Sequence, residues 1–350
     1  MKKILWFILI AFLSFSVFAA GAAETMAAPA AEETVSFTDD LGRVVEVPAA
    51  IDSVCPSGSM AQVILLTFDA SKLAGLTTKM SSEDAAYYSG LDPDIPVLGT
   101  FYGKKANLNK EALIVADPDV VIDIGEIKGS ESEMISDLDV LQEQIGIPVV
   151  FIESYLADSA HTYTKLGELL NDEERAEELA AWAEEAVSYA SQMKEEYGGK
   201  VTFYYSSAVD GLEALPAGNF HAEVLESVGG VNIVPSDFSE QAGMMSLEQL
   251  FVFNPNVIIL SDPDAYRTAT DPSSPWTQLD AVRNKRVYLV PQLINNWIDS
   301  PPSINRLIGI YWAADVLYGL ESDVAGMADS YYSLFYGYQV KPEDLAQYGI

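Results

Sequence analysis

Polar side chains that could bind a small molecule are concentrated in loops that follow predicted strands. In the first half of the chain, Pro56-Ser57-Gly58-Ser59-Met60 follows a short strand and opens a helix, and Glu126 follows the apolar run at residues 120–124. Backbone N–H groups and the helix dipole favour an anion at a helix start, although serines there often only cap the helix. Ligands of open α/β sheets bind beyond the carboxyl ends of strands. We therefore predict ligand contacts from Ser57, Gly58, Ser59 and Glu126.

The second half of the chain offers a comparable set of loop residues. Tyr204 ends a strand, Asn219 and His221 open a helix, Trp297 follows another strand, and Arg306 begins the last long helix. An arginine can hold an anionic group through two parallel hydrogen bonds. Structural alternatives are a solvated helix start for His221, core packing for the Trp297 indole and a salt bridge for Arg306. We predict that all five residues contact a ligand.

Residues typical of catalysis, or of metal binding by histidine and cysteine, are scarce. The sequence contains no Gly-x-Ser-x-Gly nucleophile elbow, P-loop, Gly-x-Gly-x-x-Gly fingerprint or paired-histidine motif, which argues against a secreted enzyme. Two histidines, His161 and His221, are few for a zinc site, so a Zn²⁺- or Mn²⁺-binding surface adhesin is a weaker alternative. The single cysteine, Cys55, is expected to be a small buried hydrophobe. We predict neither catalytic residues nor a resident metal site.

Composition indicates a folded, strongly acidic protein of about two domains. The chain has 350 residues, of which 49% are hydrophobic, enough for a substantial core. Its 52 acidic and 19 basic residues give a formal net charge of −33. Because such a surface repels phosphate backbones, nucleic acid is a poor partner.

The N-terminus has the organisation of a secretory signal peptide. Lys2 and Lys3 precede an apolar run at residues 4–18, and small residues follow. The run is short for a membrane span, which needs about 20 residues, and an uncleaved anchor is the alternative. We expect a signal peptide at residues 1–22 and a flexible leader at residues 23–34. No cysteine follows the apolar run, so a lipid anchor is not expected, and the mature protein is predicted to be periplasmic.

Two segments in which apolar strands alternate with helical patterns flank a helical middle. The alternation covers residues 35–157 and resumes over residues 199–350, which predicts α/β lobes with parallel sheets. In residues 158–198, Asn171 and Glu174 resemble a capping box, and the helix after them would span roughly 37 Å at 1.5 Å per residue. An ordinary surface helix is the alternative. This organisation predicts two α/β lobes joined by the central helix.

A weak internal repeat indicates that the two lobes are related. A helix with one glutamate, a proline-containing turn and an apolar strand occur at residues 109–122 and again at residues 246–259. The spacing from Glu111 to its strand equals the spacing from Glu248 to its strand.

Five segments carry a recognisable pattern: Thr38-Asp39-Asp40-Leu41-Gly42-Arg43-Val44-Val45-Glu46-Val47-Pro48, residues 111–122, Gly146-Ile147-Pro148-Val149-Val150, residues 223–233 and residues 248–260. In their order and spacing the sequence resembles the substrate-binding proteins of ABC importers for iron chelates, haem and cobalamin, over about residues 35–317. The resemblance implies a fold of two Rossmann-like α/β lobes joined by a single long rigid helix, with a ligand cleft between the lobes. It also implies that an ABC permease and ATPase complex of the inner membrane is the partner, and we expect the protein itself to be a monomer.

The resemblance also assigns roles to three further residues. Cobalamin-binding relatives place a ligand-stacking aromatic residue shortly before the position of Glu111, and Tyr102 corresponds to it here, unless it only packs within its loop. In relatives, one exposed glutamate on each lobe docks onto arginines of the permease. Glu111 and Glu248 match those positions; two solvated helix charges are the alternative.

The cargo class stays open between three possibilities. We favour an iron chelate of the siderophore type, followed by a corrinoid or haem and closely by a metal oxyanion such as molybdate or tungstate. Ile124 falls near a position where cobalamin-binding relatives carry tryptophan, which weakens the corrinoid hypothesis, and the loops contain few arginines for a siderophore. Some members with a similar Pro-Pro-Ser-x-Asn-Arg helix start, here ending at Arg306, carry molybdate or tungstate. No intrinsic cofactor is expected.

Overall fold

Two separate parallel β-sheets, preceded by an antiparallel hairpin, provide the framework of the chain. The computed structural model describes residues 33–101, 106–213, 215–238 and 243–350. The hairpin strands are β1 (Thr34–Thr38) and β2 (Val44–Pro48), and the first sheet contains β3 (Val54–Pro56), β4 (Val120–Gly125) and β5 (Val149–Glu153). The second sheet contains β6 (Thr202–Ser206), β7 (Val231–Asn232), β8 (Val257–Leu260) and β9 (Val287–Leu289).

The α-helices of the described residues fall into three groups along the chain. Those around the first sheet are α1 (Ser59–Asp69), α2 (Ser82–Ala85), α3 (Lys110–Ala116) and α4 (Glu131–Ile145). The middle of the chain forms α5 (Ser159–Leu170) and α6 (Glu173–Tyr197). The remainder are α7 (Glu223–Ser227), α8 (Leu247–Phe253), α9 (Pro263–Thr270), α10 (Asp280–Arg283), α11 (Arg306–Tyr318), α12 (Val324–Tyr336) and α13 (Pro342–Leu345).

The first sheet has the order β3-β4-β5 and is buried on both faces. Successive strand residues point to opposite faces, so an apolar run such as β4 must be covered twice. Val120 and Ile122 belong to a large core that extends into the helical layer, whereas Val121 packs in a smaller core with Leu113 of α3 and Leu138 of α4. We call this sheet, its helices and the hairpin the first lobe.

The second sheet repeats this arrangement with the order β7-β6-β8-β9. Phe203 and Tyr205 of β6 face the large core, and Tyr204 between them faces a separate core with Leu250 of α8. All pairings within the sheet are parallel, with Phe203 opposite Val257. We call this sheet and its helices the second lobe.

A helical layer built from α5, α6, α11 and α12 carries the large core from one sheet to the other. The 25-residue α6 packs on α5 and on α11. Its N-cap is Asp172, whose carboxylate accepts from the Arg175 N–H over 3.3 Å. The expected capping box of Asn171 and Glu174 is therefore wrong by one residue, because Asn171 ends α5 with a left-handed backbone, φ 52°.

Buried polar contacts fix the start of α11, the helix that carries Arg306. Asn305 is fully buried, and its side-chain Oδ1 accepts from the hydroxyls of Tyr331 and Tyr336 on α12. Its amide donates to the Asn295 carbonyl oxygen over 3.2 Å. Because a buried polar group without a partner is costly, these bonds specify where α11 begins.

The internal repeat is visible in the structure. Helices α3 and α8 are both seven residues long and end in left-handed residues, Asp117 (φ 48°) and Asn254 (φ 44°). Each helix is followed by a strand, and an equivalent side-chain hydrogen bond lies just before that strand. The Asp119 carboxylate accepts from the Ser53 N–H, and the Asn256 side-chain oxygen accepts from the Thr202 N–H, both over 2.9 Å. The two lobes therefore share the local geometry of this helix–turn–strand segment.

The predicted α/β class with two parallel sheets is confirmed. Residues 34–350 form one compact unit, so the expected borders at residues 157 and 199 stay a prediction. The expected signal peptide at residues 1–22 lies outside the described residues, as does the expected leader except for its end, where β1 begins at Thr34. Among the described helices, we find none that combines the length and apolar character needed to cross a bilayer.

Candidate ligand-binding cleft

The first wall of the candidate site stands at the carboxyl ends of β3 and β4. Ser57 follows β3; its N–H donates to the Ile122 carbonyl oxygen over 3.1 Å, and its hydroxyl donates to the Asp123 carboxylate. The Lys128 ammonium lies 3.3 Å from the same carboxylate. Gly58 is the N-cap of α1 and has extended backbone, and among the described residues no side-chain cap hydrogen bond is made at this helix start. The first N–H groups of α1 are therefore available to a polar or anionic ligand.

A cavity of about 500 Å³ opens in front of this wall. Most of its lining comes from the first lobe, and Phe220 comes from the second, which identifies it as a cleft between the lobes. We call it the cleft cavity; its lining residues are Ser57, Gly58, Ser59, Met60, Thr100, Asp123, Ile124, Gly125, Glu126, Ile127, Lys128 and Phe220.

Glu126 is the acidic residue that reaches from the first lobe toward the second. It follows β4 and is half-buried. Burial raises the pKa of its carboxyl, and the positive charges of Arg306 and His221 oppose this rise. Arg306 and His221 belong to the second lobe, so the Glu126 carboxyl interacts with positive charges that lie beside Phe220, the second-lobe residue of the cleft lining.

Arg306 forms the base of the opposite wall. Its Nη1 donates to a Glu223 carboxylate oxygen over 2.6 Å, and its guanidinium lies 4.4 Å from the centre of the Phe220 ring. The Arg306 side chain is only 3% exposed, and its Nε has no hydrogen-bond partner among the described residues. Burial lowers the pKa of Arg306 and raises that of Glu223, while their mutual attraction opposes both shifts. Arg306 therefore forms the salt bridge that was its structural alternative, with Glu223 as its partner. Its buried Nε–H remains without an acceptor among the described residues.

His221 lies beside this pair and is held by Asp299. Its Nδ1 is 2.7 Å from an Asp299 carboxylate oxygen, and its backbone N–H donates to the Asn219 side chain over 2.9 Å. Asp299 is itself fixed because its N–H donates to Asn296 over 2.9 Å. Asn219 thus has a capping role, whereas the imidazole of His221, 47% exposed, remains accessible.

The charged groups of the cleft leave one acid in excess. Lys128 pairs with Asp123, His221 with Asp299, and Arg306 with Glu223. Glu126 has no ion pair or hydrogen bond among the described residues, although it feels the charges of Arg306 and His221. The side chains of the cleft therefore do not form a strongly positive site.

Two predicted contacts do not belong to the candidate site. Tyr204 is fully buried in the core of the second lobe, where its hydroxyl donates to the carbonyl oxygens of Gly211 and Glu213 over 3.1 and 2.9 Å. Trp297 is also fully buried, and its indole N–H donates to the Tyr332 hydroxyl over 2.7 Å. Tyr204 points to the face of β6 away from the helical layer, and Trp297 fills the layer itself. Both are therefore packing residues, and core packing was the alternative given above for Trp297.

The remaining predicted residues fall into three cases. Ser57, Gly58, Ser59 and Glu126 line the cleft cavity. Arg306, His221 and Asn219 lie at or behind its second wall, around Phe220. Tyr102 lies outside the described residues.

Sequence reasoning missed the acidic partners of the site. Glu223, Asp299 and Asp123 hold Arg306, His221 and Lys128, but in a chain with 52 acidic residues none of them stands out. Phe220 was missed for a related reason, because a single aromatic residue beside His221 resembles ordinary packing. The signal that could have found Glu223 is its place one turn after the loop that carries Asn219 and His221.

The structure offers no sign of a resident metal or a reactive thiol in the part of the chain that it describes. No group of three or more histidine, cysteine or acidic side chains is arranged to hold a metal ion there. Cys55 is buried in β3, and burial raises the pKa of its thiol to about 12. A thiol with so high a pKa is unreactive near neutral pH.

Glu111 and Glu248 occupy equivalent exposed places outside the cleft. Each lies in the first turn of its helix, α3 or α8, and each side chain is exposed to solvent. Among the described residues, neither has an ion pair or side-chain hydrogen bond. This placement is what a two-point docking surface requires, and it equally suits two solvated charges.

We predict that the imidazole of His221 titrates above its ordinary pKa of 6.5, because the hydrogen bond that its Nδ1–H donates to the Asp299 carboxylate favours the protonated form. Its stabilising contribution should be complete below pH 6.5 and be lost as the pH rises through the folded-state pKa. NMR titration is simple here, since the chain has only two histidines. In Asp299→Asn the pKa of His221 should fall, while His161, paired with Asp40, serves as the internal control. An unchanged His221 titration in this variant would contradict the assignment.

Comparison with known proteins agrees with this architecture. Residues 54–293 match the periplasmic binding protein family. An ABC transporter solute-binding protein from Sulfurospirillum deleyianum has 27% sequence identity and a TM-score of 0.79, covering 89% of this chain and 98% of its own. The molybdate-binding protein MolA of Haemophilus influenzae is 25% identical over 341 residues, 89% of this chain and 93% of MolA.

A more distant solved structure shows the same fold. The periplasmic vitamin B12-binding protein BtuF of Vibrio cholerae has 18% identity and a TM-score of 0.56, covering 76% of this chain and 96% of BtuF. The family match spans both sheets and the helices between them. The chain therefore belongs to the periplasmic binding protein family and is an ABC-type periplasmic substrate-binding protein, not an enzyme.

Proposed function

We propose that the cleft cavity carries a metal chelate of the iron–siderophore type and that the protein delivers it to an ABC importer. The observation that supports this most directly is the cavity of about 500 Å³ between the lobes. Pockets of about 300–1,000 Å³ accommodate drug-sized organic molecules. A chelate with an organic shell fills such a space, whereas a four-oxygen anion occupies only a small part of it.

The charge balance of the cleft also favours a chelate without a large negative charge. Three basic groups are already paired with carboxylates, and Glu126 is in excess. A multiply charged anion would have to displace a paired carboxylate before it gained a cation of its own. A neutral or positively charged chelate meets no such cost, and the Glu126 carboxyl offers it a hydrogen-bond partner.

A molybdate-type oxyanion is the second candidate, because one relative that covers most of this chain is named a molybdate-binding protein. The uncapped start of α1 supplies backbone donors for an oxyanion. The unpartnered Nε of Arg306 would add a charged donor if the anion replaced Glu223. A corrinoid or haem is the third candidate, because the similarity to the vitamin B12-binding protein is limited to the fold.

Native mass spectrometry of the protein purified from its own periplasm, combined with elemental analysis, tests the proposal. We expect a bound mass of several hundred daltons that contains iron. Calorimetric titration of the stripped protein with a ferric hydroxamate, molybdate and cobalamin then ranks the three classes. Molybdenum in the native complex, with tight binding of molybdate and none of the ferric chelate, would overturn the proposal in favour of the oxyanion.

We further propose that Glu111 and Glu248 dock the loaded protein onto the permease. The equivalence of the two positions supports this proposal. Each glutamate lies at the same point of the internal repeat, one on each lobe, and each is exposed. Complementary charge across such an interface sets orientation and association rate. The segment at residues 1–22 is proposed to be a cleaved signal peptide, and a mature N-terminus at Ala23 is the expected result of N-terminal sequencing.

A further inference from the structure

Two valines on the surface are unusually exposed and occupy matching positions. Among the described residues, Val115 of α3 and Val252 of α8 are the most exposed large hydrophobic side chains, at 84% and 83%. The next, Val44 and Val209, are both 67% exposed. Single exposed hydrophobic residues are common on protein surfaces, but these two valines lie at equivalent positions of the two lobes.

Each valine lies four residues after a proposed docking glutamate. The same sequence offset separates Glu111 from Glu248 and Val115 from Val252. Residues at i and i+4 share one face of a helix, so glutamate and valine are neighbours on each lobe. We call Glu111, Val115, Glu248 and Val252 together the paired docking patch.

Neither helix needs a valine at this position for its own folding. The inward face of α3 is anchored by Leu113, and that of α8 by Leu250, both fully buried. A β-branched residue in an exposed helix position loses side-chain entropy without gaining burial. An exposed valine occurs at the equivalent position of both lobes although it gains no burial within the protein. This indicates that both valines are buried against a partner.

We propose that Val115 and Val252 are the apolar contacts of the permease interface, each beside the glutamate that orients the docked protein. This inference rests on the proposed docking role of Glu111 and Glu248. The partner surface then presents, at two similar places, a basic side chain next to an apolar one. The charges set orientation and association rate, and the valines slow dissociation by losing water-exposed apolar area.

A second copy of this chain fits the patch poorly. A symmetric contact between two copies would bring acidic patches together, in a protein whose net charge is already −33. Like charges across an interface disfavour association. A basic, membrane-embedded partner meets the patch without this repulsion.

The test measures binding to the cell's own permease–ATPase complex, isolated by co-purification with the unaltered protein and reconstituted in nanodiscs. Surface plasmon resonance compares Val115→Ser, Val252→Ser and the double variant with the unaltered protein. We expect each single change to weaken binding about tenfold and the double change about a hundredfold, mainly through faster dissociation. Val140→Ser on α4 and Val209→Ser on the second lobe, both exposed, are the matched controls and should bind normally.

The glutamate variants Glu111→Gln and Glu248→Gln separate failure of this inference from failure of the docking proposal. If these weaken binding while the valine variants bind normally, the apolar contacts are excluded and docking by the glutamates stands. If both sets bind normally, the docking surface itself lies elsewhere. Unchanged unfolding temperatures and cargo content of every variant confirm that only the surface was altered.

Discussion

Arg306→Gln should both destabilise the second lobe and weaken cargo binding, because it removes the partner of a partly buried carboxylate. Arg306 is 3% exposed and Glu223 30% exposed, and their atoms are 2.6 Å apart. Breaking a buried ion pair costs about 3–5 kcal/mol, and the residual exposure of Glu223 reduces this to about 2–4 kcal/mol of unfolding free energy. The Phe220 ring that Arg306 supports lines the cleft cavity, so cargo affinity should fall by about tenfold or more.

Denaturant unfolding and calorimetric titration with the cargo identified from the periplasm measure the two effects. Glu223→Gln combined with Arg306→Gln should recover much of the stability, because neither charge is then left alone. The penalty of the single Arg306→Gln change should also shrink at low pH, since burial raises the pKa of Glu223 and protonation removes the unpaired charge.

Arg43→Gln is the matched control for Arg306. Arg43 is also a mostly buried arginine, paired with Asp39 over 3.1 Å and with Asp139 over 2.9 Å, but it lies at the hairpin of the first lobe. We expect this variant to lose stability while keeping full cargo affinity. If Arg306→Gln bound cargo as well as Arg43→Gln does, Arg306 would be a structural residue without a role in the site.

The parts of the fold that follow from local chemistry could be predicted from the sequence. Apolar runs such as residues 120–124 become strands buried on both faces because helices cover both sides of a parallel sheet. The repeated helix–turn–strand segments were recognisable because proline turns and strand starts recur at a fixed spacing. The N-cap of α6 was misplaced by one residue, since Asn171 and Asp172 are both good caps and only the end of α5 decides between them.

The candidate site was only half predictable for a physical reason. Ser57 and Glu126 were found because they follow strands, and strand ends in parallel sheets define the binding edge. Tyr204 also sits near a strand end, but strand alternation turns its ring toward the core of the second lobe, where backbone carbonyls satisfy its hydroxyl. The partners Glu223 and Asp299 arise from contacts between distant segments, which spacing along a chain does not encode.

Reversing both docking charges, Glu111→Arg with Glu248→Arg, should abolish delivery while cargo binding is retained. Each glutamate is exposed in the first turn of its helix, and neither lines the cleft cavity, so folding and affinity for cargo should be unaffected. The proposed permease surface presents basic side chains to both positions. Replacing each glutamate by arginine therefore turns an electrostatic attraction into a repulsion at both contacts. We expect about a hundredfold loss of uptake with both changes and about tenfold with either alone.

Uptake of the labelled cargo into cells or proteoliposomes measures the loss, and calorimetry checks that cargo affinity stays within about twofold. Glu143→Arg with Asp237→Arg is the matched control, since it makes the same change in net charge at exposed positions of the two lobes. Because general electrostatic repulsion would affect both double variants alike, only a loss confined to positions 111 and 248 identifies a docking surface. Normal uptake by Glu111→Arg with Glu248→Arg would mean that the two matched glutamates are solvated charges and that the permease recognises another face of the protein.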